Sequence, residues 1–271
     1  MRLTFAQIDA FAEQAFEGNP AAVMPLTQWL PDELLQKIAS ENNLSETAFL
    51  VPIGGSEDDG GGGPDFELRW FTPAAEVALC GHATLAAGHI ILAADPARAR
   101  IDFHTRRSGV LTVARVAAGY ELALPALPPS PRALPAIVAA LGLADAPVAT
   151  LWHAQGYALV VLADADAVRR AMPDVRRLAA EGNILTIITA PGDDTDIISR
   201  AFAPGAGVDE DPVTGSAHAV MAGWWAERLG RPEFTAFQAS RRGGRLACRI
   251  EGERVVLEGR CVTVIEGVLR A

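Results

Sequence analysis

The sequence predicts an α/β chain made of two copies of one domain, each mostly strands around one buried helix. Three observations predict it. Blocks of sequence recur in order at about half the chain length; each half holds one long segment of small and apolar residues; and short β-rich segments surround that segment in both halves. Internal self-similarity is the first thing such a reading should seek, because it fixes the architecture. Arg69-Trp70-Phe71-Thr72-Pro73-Ala74-Ala75-Glu76-Val77 and Arg200-Ala201-Phe202-Ala203-Pro204-Gly205-Ala206-Gly207-Val208 share R-x-F-x-P-x-A-x-V, 131 positions apart. Arg106-Arg107 and Arg241-Arg242 lie 135 apart, Glu41-Asn42-Asn43-Leu44 and Glu181-Gly182-Asn183-Ile184 140 apart, Pro31-Asp32 and Pro173-Asp174 142 apart, and Gly18 and Gly156 138 apart. A period of this size is that of a domain, not of a solenoid repeat.

The elements follow in order. Ala21-Ala22-Val23-Met24 and Ala158-Leu159-Val160-Val161-Leu162 read as strands. Residues 31–39 have helical spacing, with Pro31 and Asp32 suited to a first turn. Thr47-Ala48-Phe49-Leu50-Val51 and Leu185-Thr186-Ile187-Ile188-Thr189 are β-rich, and residues 66–71 alternate like a half-buried strand. Residues 81–92 and 215–229 are small and apolar at helical length, and a helix apolar on every side is a buried one. Residues 110–116 and 254–257 are strands again. Pro125-Ala126-Leu127-Pro128-Pro129-Ser130-Pro131 is too proline-rich for a ladder or a helix and reads as the linker. The halves are then residues 1–124 and 132–261, with the last strand, about 262–271, returning to the first. Glu57-Asp58-Asp59-Gly60-Gly61-Gly62-Gly63-Pro64 reads as an acidic surface loop without metal-loop spacing.

Composition bounds the function. The chain has 271 residues, a formal net charge of -10 and a hydrophobic half. An acidic surface repels nucleic-acid phosphates and anionic lipid, so neither is expected as a partner. The three cysteines have no C-x-x-C spacing, which predicts a reduced, cytoplasmic protein. No signal peptide or transmembrane span is visible. No phosphate-loop or H-E-x-x-H motif is present, and Gly205-Ala206-Gly207 lacks the third glycine of a dinucleotide fingerprint. Gly205 aligns with Ala74 and so reads as replaceable. Neither a cofactor nor a metal is expected.

Positions where the halves differ chemically are candidates for function. Counting from the Glu41/Glu181 match, Glu46 stands opposite Thr186, at the head of an apolar strand. A carboxylate among apolar neighbours suits general acid–base work at carbon. The alternative is a surface residue in a capping box with Asn43. Cys80-Gly81-His82 faces Thr214-Gly215-Ser216 in the alignment, both at loop-to-helix entries. Helix N-termini offer unpaired N–H groups and partial positive charge, so Gly81 and Gly215 read as donors to a carboxylate or developing enolate. The alternative is close packing at each glycine. His82 could carry a proton, whereas His89, His104, His153 and His218 read as structural. Asp209-Glu210-Asp211 reads as a three-residue insertion of acids before the second helix, with Asp211 either favouring the helix dipole or orienting substrate beside Ser216. Cys80 could be an activated thiol or a buried structural one, and the second reading is preferred.

These residues resemble the phenazine biosynthesis-like (PhzF-like) family of the diaminopimelate epimerase-like superfold. The similarity runs in order along nearly the whole chain. It is carried by Gln7-Ile8-Asp9-Ala10-Phe11, Gly18-Asn19-Pro20-Ala21-Ala22-Val23, Asn43-Leu44-Ser45-Glu46-Thr47-Ala48-Phe49, Arg69-Trp70-Phe71-Thr72-Pro73, Cys80-Gly81-His82-Ala83-Thr84-Leu85, Asp209-Glu210-Asp211-Pro212-Val213-Thr214-Gly215-Ser216-Ala217 and Gln238-Ala239-Ser240-Arg241-Arg242-Gly243-Gly244. The resemblance implies two pseudo-symmetric domains, each a curled sheet around a central helix, and a homodimer. It implies a cofactor-independent isomerase of a small carboxylate-bearing metabolite, with the active site in the cleft between the domains. The family's proton-moving glutamate falls on Glu46, its supporting histidine on His82, its aspartate on Asp211 and its serine on Ser216. Gly81 and Gly215 would supply backbone donors. Related epimerases use one cysteine per half; here Cys80 is similar to the first, and an acidic motif replaces the second, which argues against a two-thiol epimerase. Two rival readings stay open: a racemase with Cys80 as one base, and a non-catalytic binding protein on the same scaffold.

Overall fold

The computed structural model describes residues 1–53 and 65–271. The acidic stretch 57–64 lies outside the described residues. The chain divides into two compact units, Met1–Ala123 with Glu258–Ala271, and Leu124–Leu257.

In the first unit the sheet runs Cys261–Arg270, Arg2–Ala10, Asn19–Pro25, Glu46–Pro52, Phe66–Phe71, Arg100–Thr105, Val110–Val116 and Gly119–Pro125. All neighbours are antiparallel except two parallel pairs, Asn19–Pro25 with Glu46–Pro52 and Phe66–Phe71 with Arg100–Thr105. The helix Asp32–Asn42 makes the crossover of the first parallel pair, as parallel neighbours require. The helix Gly81–Ala94 makes that of the second. It is buried over most of its surface and packs on strands throughout its own unit. Gly88 permits one of these approaches, since a Cβ there would lie 2.5 Å from Val113 Cγ1.

The second unit repeats the pattern. Ala149–His153 pairs antiparallel with Tyr157–Val161, which pairs parallel with Leu185–Pro191, then antiparallel with Ile197–Ala203, parallel with Glu233–Gln238 and antiparallel with Gly244–Glu251. Its own apolar helix is Gly215–Leu229. The same alternation of parallel and antiparallel neighbours in both units is the duplication in three dimensions. It is carried by matched core polar groups as well as by apolar ones. Arg69, 2% exposed, pairs with Glu76 through two bonds of 2.7 and 2.8 Å and lies between Trp29 and Phe71. Arg200 repeats this with Glu210 at 2.7 and 3.0 Å, over Phe202. A bidentate Arg–carboxylate pair satisfies both charges where water is scarce.

The register corrects four sequence readings. First, Thr47 stands opposite Phe71 as Thr186 stands opposite Phe202, so the counterpart of Glu46 is Leu185, one position from the expected Thr186. Second, the acids Asp209-Glu210-Asp211 are not the insertion. Glu210 matches Glu76 by its arginine partner, and both lie five positions before the helix glycine. The three extra residues fall earlier, in the turn that holds the short 3-10 helix Pro204–Ala206. Third, Gly205 sits in that insertion and has no Ala74 counterpart. A Cβ on it would lie 2.0 Å from the Gly182 carbonyl oxygen, so it is not replaceable. Fourth, the proline-rich stretch 125–131 does hold a ladder: Ser130 and Pro131 pair with Trp152 and Leu151, and Ala126 donates its N–H to the Glu253 carbonyl. Proline lacks a donor but can still accept at a sheet edge.

Among the described residues no helix is long and apolar enough to cross a membrane.

Candidate active site

The first unit gathers Glu46, Cys80, His82 and Asn19 at one place. Glu46 opens the strand Glu46–Pro52, opposite Ala21 in parallel register. It does not belong to a capping box: Asn43 ends the preceding helix in the left-handed conformation (φ 49°), and Glu46 already has a strand's backbone. Cys80 is the N-cap of the helix Gly81–Ala94 and His82 is its second residue. Asn19 opens the strand beside that of Glu46 and is fully buried.

The distances define the cluster. His82 Nε2 lies 3.1 Å from Glu46 Oε2, with the ring N–H not aimed squarely at the oxygen. The ring's Nδ1 lies 3.3 Å from Asn19 Nδ2 and 3.5 Å from Cys80 Sγ. Glu46 keeps 17% of its side chain exposed, while His82 and Cys80 are buried. Glu46 is therefore the partly exposed member of the three, although its Oε2 is buried against His82.

Burial pushes the Cys80 thiol up to about 11, with the Glu46 charge acting in the same direction. At neutral pH it is a thiol, whose sulfur can accept from the Nδ1–H of a protonated His82. Burial works against protonation of His82, but negative charge at Cys80 and Glu46 outweighs it and holds the imidazole well above its ordinary range. With Cys80 protonated, the Glu46 carboxylate is the charge that matters. The pair is thus a carboxylate held beside a cationic imidazole, which is a base kept ionised and oriented. Thr84 completes the helix start by donating its hydroxyl to the Cys80 carbonyl at 2.6 Å.

The second unit builds the equivalent helix start differently. Thr214 is its N-cap, and its hydroxyl donates to Asp211 Oδ2 at 2.5 Å. Gln238, fully buried, accepts from the Thr214 N–H at 2.9 Å and donates to the Asp211 carbonyl at 2.8 Å. Ser240 donates to the Pro212 carbonyl at 2.8 Å. Gly215 is buried and Ser216 half-buried at the first two helical positions. At neither helix start does the N-cap side chain bond to the helix N–H groups, since the thiol faces His82 and the hydroxyl faces Asp211. Asp211, whose counterpart is Val77, fixes the loop that leads into the helix. Two residues carry the geometry without having been assigned a role from sequence, Asn19 and Gln238. Both lie within the family-like segments.

The structural comparison completes this picture. Residues 8–267 match the family described as phenazine biosynthesis-like protein. The chain belongs to the PhzF family. An uncharacterized isomerase of Pseudomonas aeruginosa is 45% identical over 99% of each chain. A crystal structure of a PhzF-family phenazine biosynthesis protein from Enterococcus faecalis has 38% identity, covers 100% of each chain and gives a TM-score of 0.89. A hydroxyproline epimerase structure from Agrobacterium vitis, 10% identical with a TM-score of 0.60 over 99% of this chain and 92% of that one, shares the fold alone. The fold is therefore the duplicated, epimerase-like one, and this PhzF-family chain is an isomerase.

Proposed function

We propose that this PhzF-family isomerase moves a proton between carbons of a small carboxylate-bearing metabolite, with Glu46 as the general acid/base. The observation that carries the reading is the Glu46–His82 pair at 3.1 Å, with the Glu46 side chain partly exposed and the imidazole buried behind it. In the first step a substrate C–H bond breaks, its proton passes to a Glu46 oxygen, and its electron pair spreads into the adjoining carbonyl, imine or diene. In the second, the Glu46 carboxyl, whose proton exchanges with solvent, delivers a proton to a different carbon and the electron pair closes the new C–H bond. Carbon acids are weak, so the developing negative charge needs nearby donors. Protonated His82 and the first N–H groups of the helix at Gly81 suit that need. The reading assigns substrate orientation to Asp211 and Ser216. The Cys80 sulfur serves as a hydrogen-bond acceptor for the His82 Nδ1–H; a thiol raised to about 11 by burial is a poor carbon base at neutral pH, which disfavours the racemase alternative.

The test is solvent-deuterium incorporation, read by mass spectrometry, across amino acids and cyclic dienyl acids incubated with the protein. Incorporation into one chemical class is expected, and Glu46→Gln should lower it by about 10³-fold or more, beyond the usual 10²–10⁴ range's lower end for a positioned acid–base group. A Glu46→Gln variant of undiminished activity would remove Glu46 from this role.

A further inference from the structure

We propose that Glu46, Cys80 and His82 together form a binding site for a soft divalent cation of the zinc class, and that metal bound there silences the acid–base group. A carboxylate oxygen, a thiol sulfur and an imidazole nitrogen, one from each residue, lie within 4.8 Å of one another. Tetrahedral zinc with bonds of about 2.0–2.3 Å sets its ligand atoms roughly 3.3–3.8 Å apart. The cluster thus needs a closure of about 1 Å, which rotation of the thiol and of the long Glu46 side chain can supply. The donor set selects the metal class. Sulfur and nitrogen suit zinc and cobalt, whereas magnesium and calcium want oxygen alone.

The surroundings resemble those of a built metal centre. Asn19 Nδ2 stands 3.3 Å from His82 Nδ1. Turned half a revolution, the same amide presents its oxygen to the Nδ1–H, the outer-shell bond of an imidazole that ligates through Nε2. Cys80 and His82 are buried, and Glu46 provides the opening through which an ion and a fourth ligand, water, can enter. Binding breaks the Cys80 S–H and His82 Nε2–H bonds, forms sulfur–metal and nitrogen–metal bonds and releases both protons to solvent, with no change of oxidation state. Sequence spacing conceals the set, because Cys80 and His82 lie in one helix start and Glu46 comes from a strand 34 positions earlier. Once coordinated, the Glu46 carboxylate shares its negative charge with the metal and is a much weaker base toward a substrate proton. That inhibitory consequence rests on the function proposed above; the site itself does not.

Cobalt titrated into the chelator-treated full chain is the probe. One equivalent should give a near-ultraviolet sulfur-to-cobalt charge-transfer band, and zinc should abolish it by displacement. Cys80→Ser should remove the band and weaken zinc, measured by competition with a chromophoric chelator, at least about 100-fold, the upper end of what losing even an outer-shell partner costs. Cys248→Ser and Cys261→Ser should keep both. Glu46→Gln, at a partly exposed position, should keep the band while weakening zinc, with circular dichroism confirming the fold. No band with the native chain, a band that survives Cys80→Ser, or a zinc affinity unchanged in Glu46→Gln would overturn the site. Deuterium exchange that continues at full zinc occupancy would overturn the inhibitory half alone.

Discussion

Acidification should destabilise this protein through His218 in a way a single substitution can isolate. His218 is fully buried in the helix Gly215–Leu229, and its Nδ1 lies 2.8 Å from the Thr214 carbonyl. A carbonyl only accepts, so Nδ1 carries the proton, and the buried Nε2 has no hydrogen-bond partner. Protonating Nε2 would place a charge in the core. Burial therefore lowers the His218 pKa to about 4, opposed only in part by the Thr214 carbonyl. In the unfolded chain the same imidazole titrates at its ordinary value of 6.5. Above that value both states are neutral and His218 contributes nothing to the pH dependence. Between 6.5 and about 4 the unfolded chain binds a proton the folded chain refuses, so stability falls as pH falls. Each tenfold difference in proton affinity is worth about 1.4 kcal/mol, which gives about 3 kcal/mol over the full window. Thr84 occupies the matching position in the first unit and makes the same bond with a hydroxyl. His218→Thr thus keeps the bond and removes the titration. Urea unfolding at pH 7.5 and pH 4.5 should show the native chain losing about 2–3 kcal/mol more than the variant, while any cost of lost packing cancels between the two pH values. Equal losses in both proteins would refute the reasoning, as would an imidazole resonance of His218 that titrates near 6.5 in the folded state.

Two substitutions probe the scaffold beside the tests of Glu46 and of the metal site. Arg69→Met should cost about 3 kcal/mol in urea unfolding, the low end for breaking a buried ion pair because Glu76 can still reach water; Arg200→Met, less buried, should cost less. Gly88→Ala should destabilise by about 1–3 kcal/mol despite alanine's better helix propensity, since its Cβ meets Val113, and Val113→Ala in the same chain should recover part of that loss.

The architecture was legible because duplication leaves two independent readings of each element. The strand pair Phe66–Phe71 and Ile197–Ala203 and the paired helices at Gly81 and Gly215 follow from blocks that agree with each other. Alignment by number failed where spacing changes locally. A one-residue difference in the loop before Glu46 placed Thr186 opposite it in place of Leu185. Arginine partners, not acid count, show that Glu210 is the scaffold's carboxylate and that the extra residues precede it. Asn19 was illegible because its importance comes from a neighbour, His82, 63 positions away, and no local pattern encodes that approach.

Chemical difference between halves is also a weaker signal of function than it looks. Thr84 and His218 differ in every respect a sequence records, yet each bonds to the carbonyl four residues back, at the N-cap of its helix. One fold requirement has been met by two chemistries. Glu46 against Leu185, Cys80 against Thr214 and His82 against Ser216 are differences of another kind. Their first members converge within one unit, around a single imidazole, where none of the three is needed to close a helix or a ladder. Convergence separates the two cases: a difference that restores a shared backbone bond belongs to the scaffold, and differences that meet at one ring without serving the backbone belong to the chemistry.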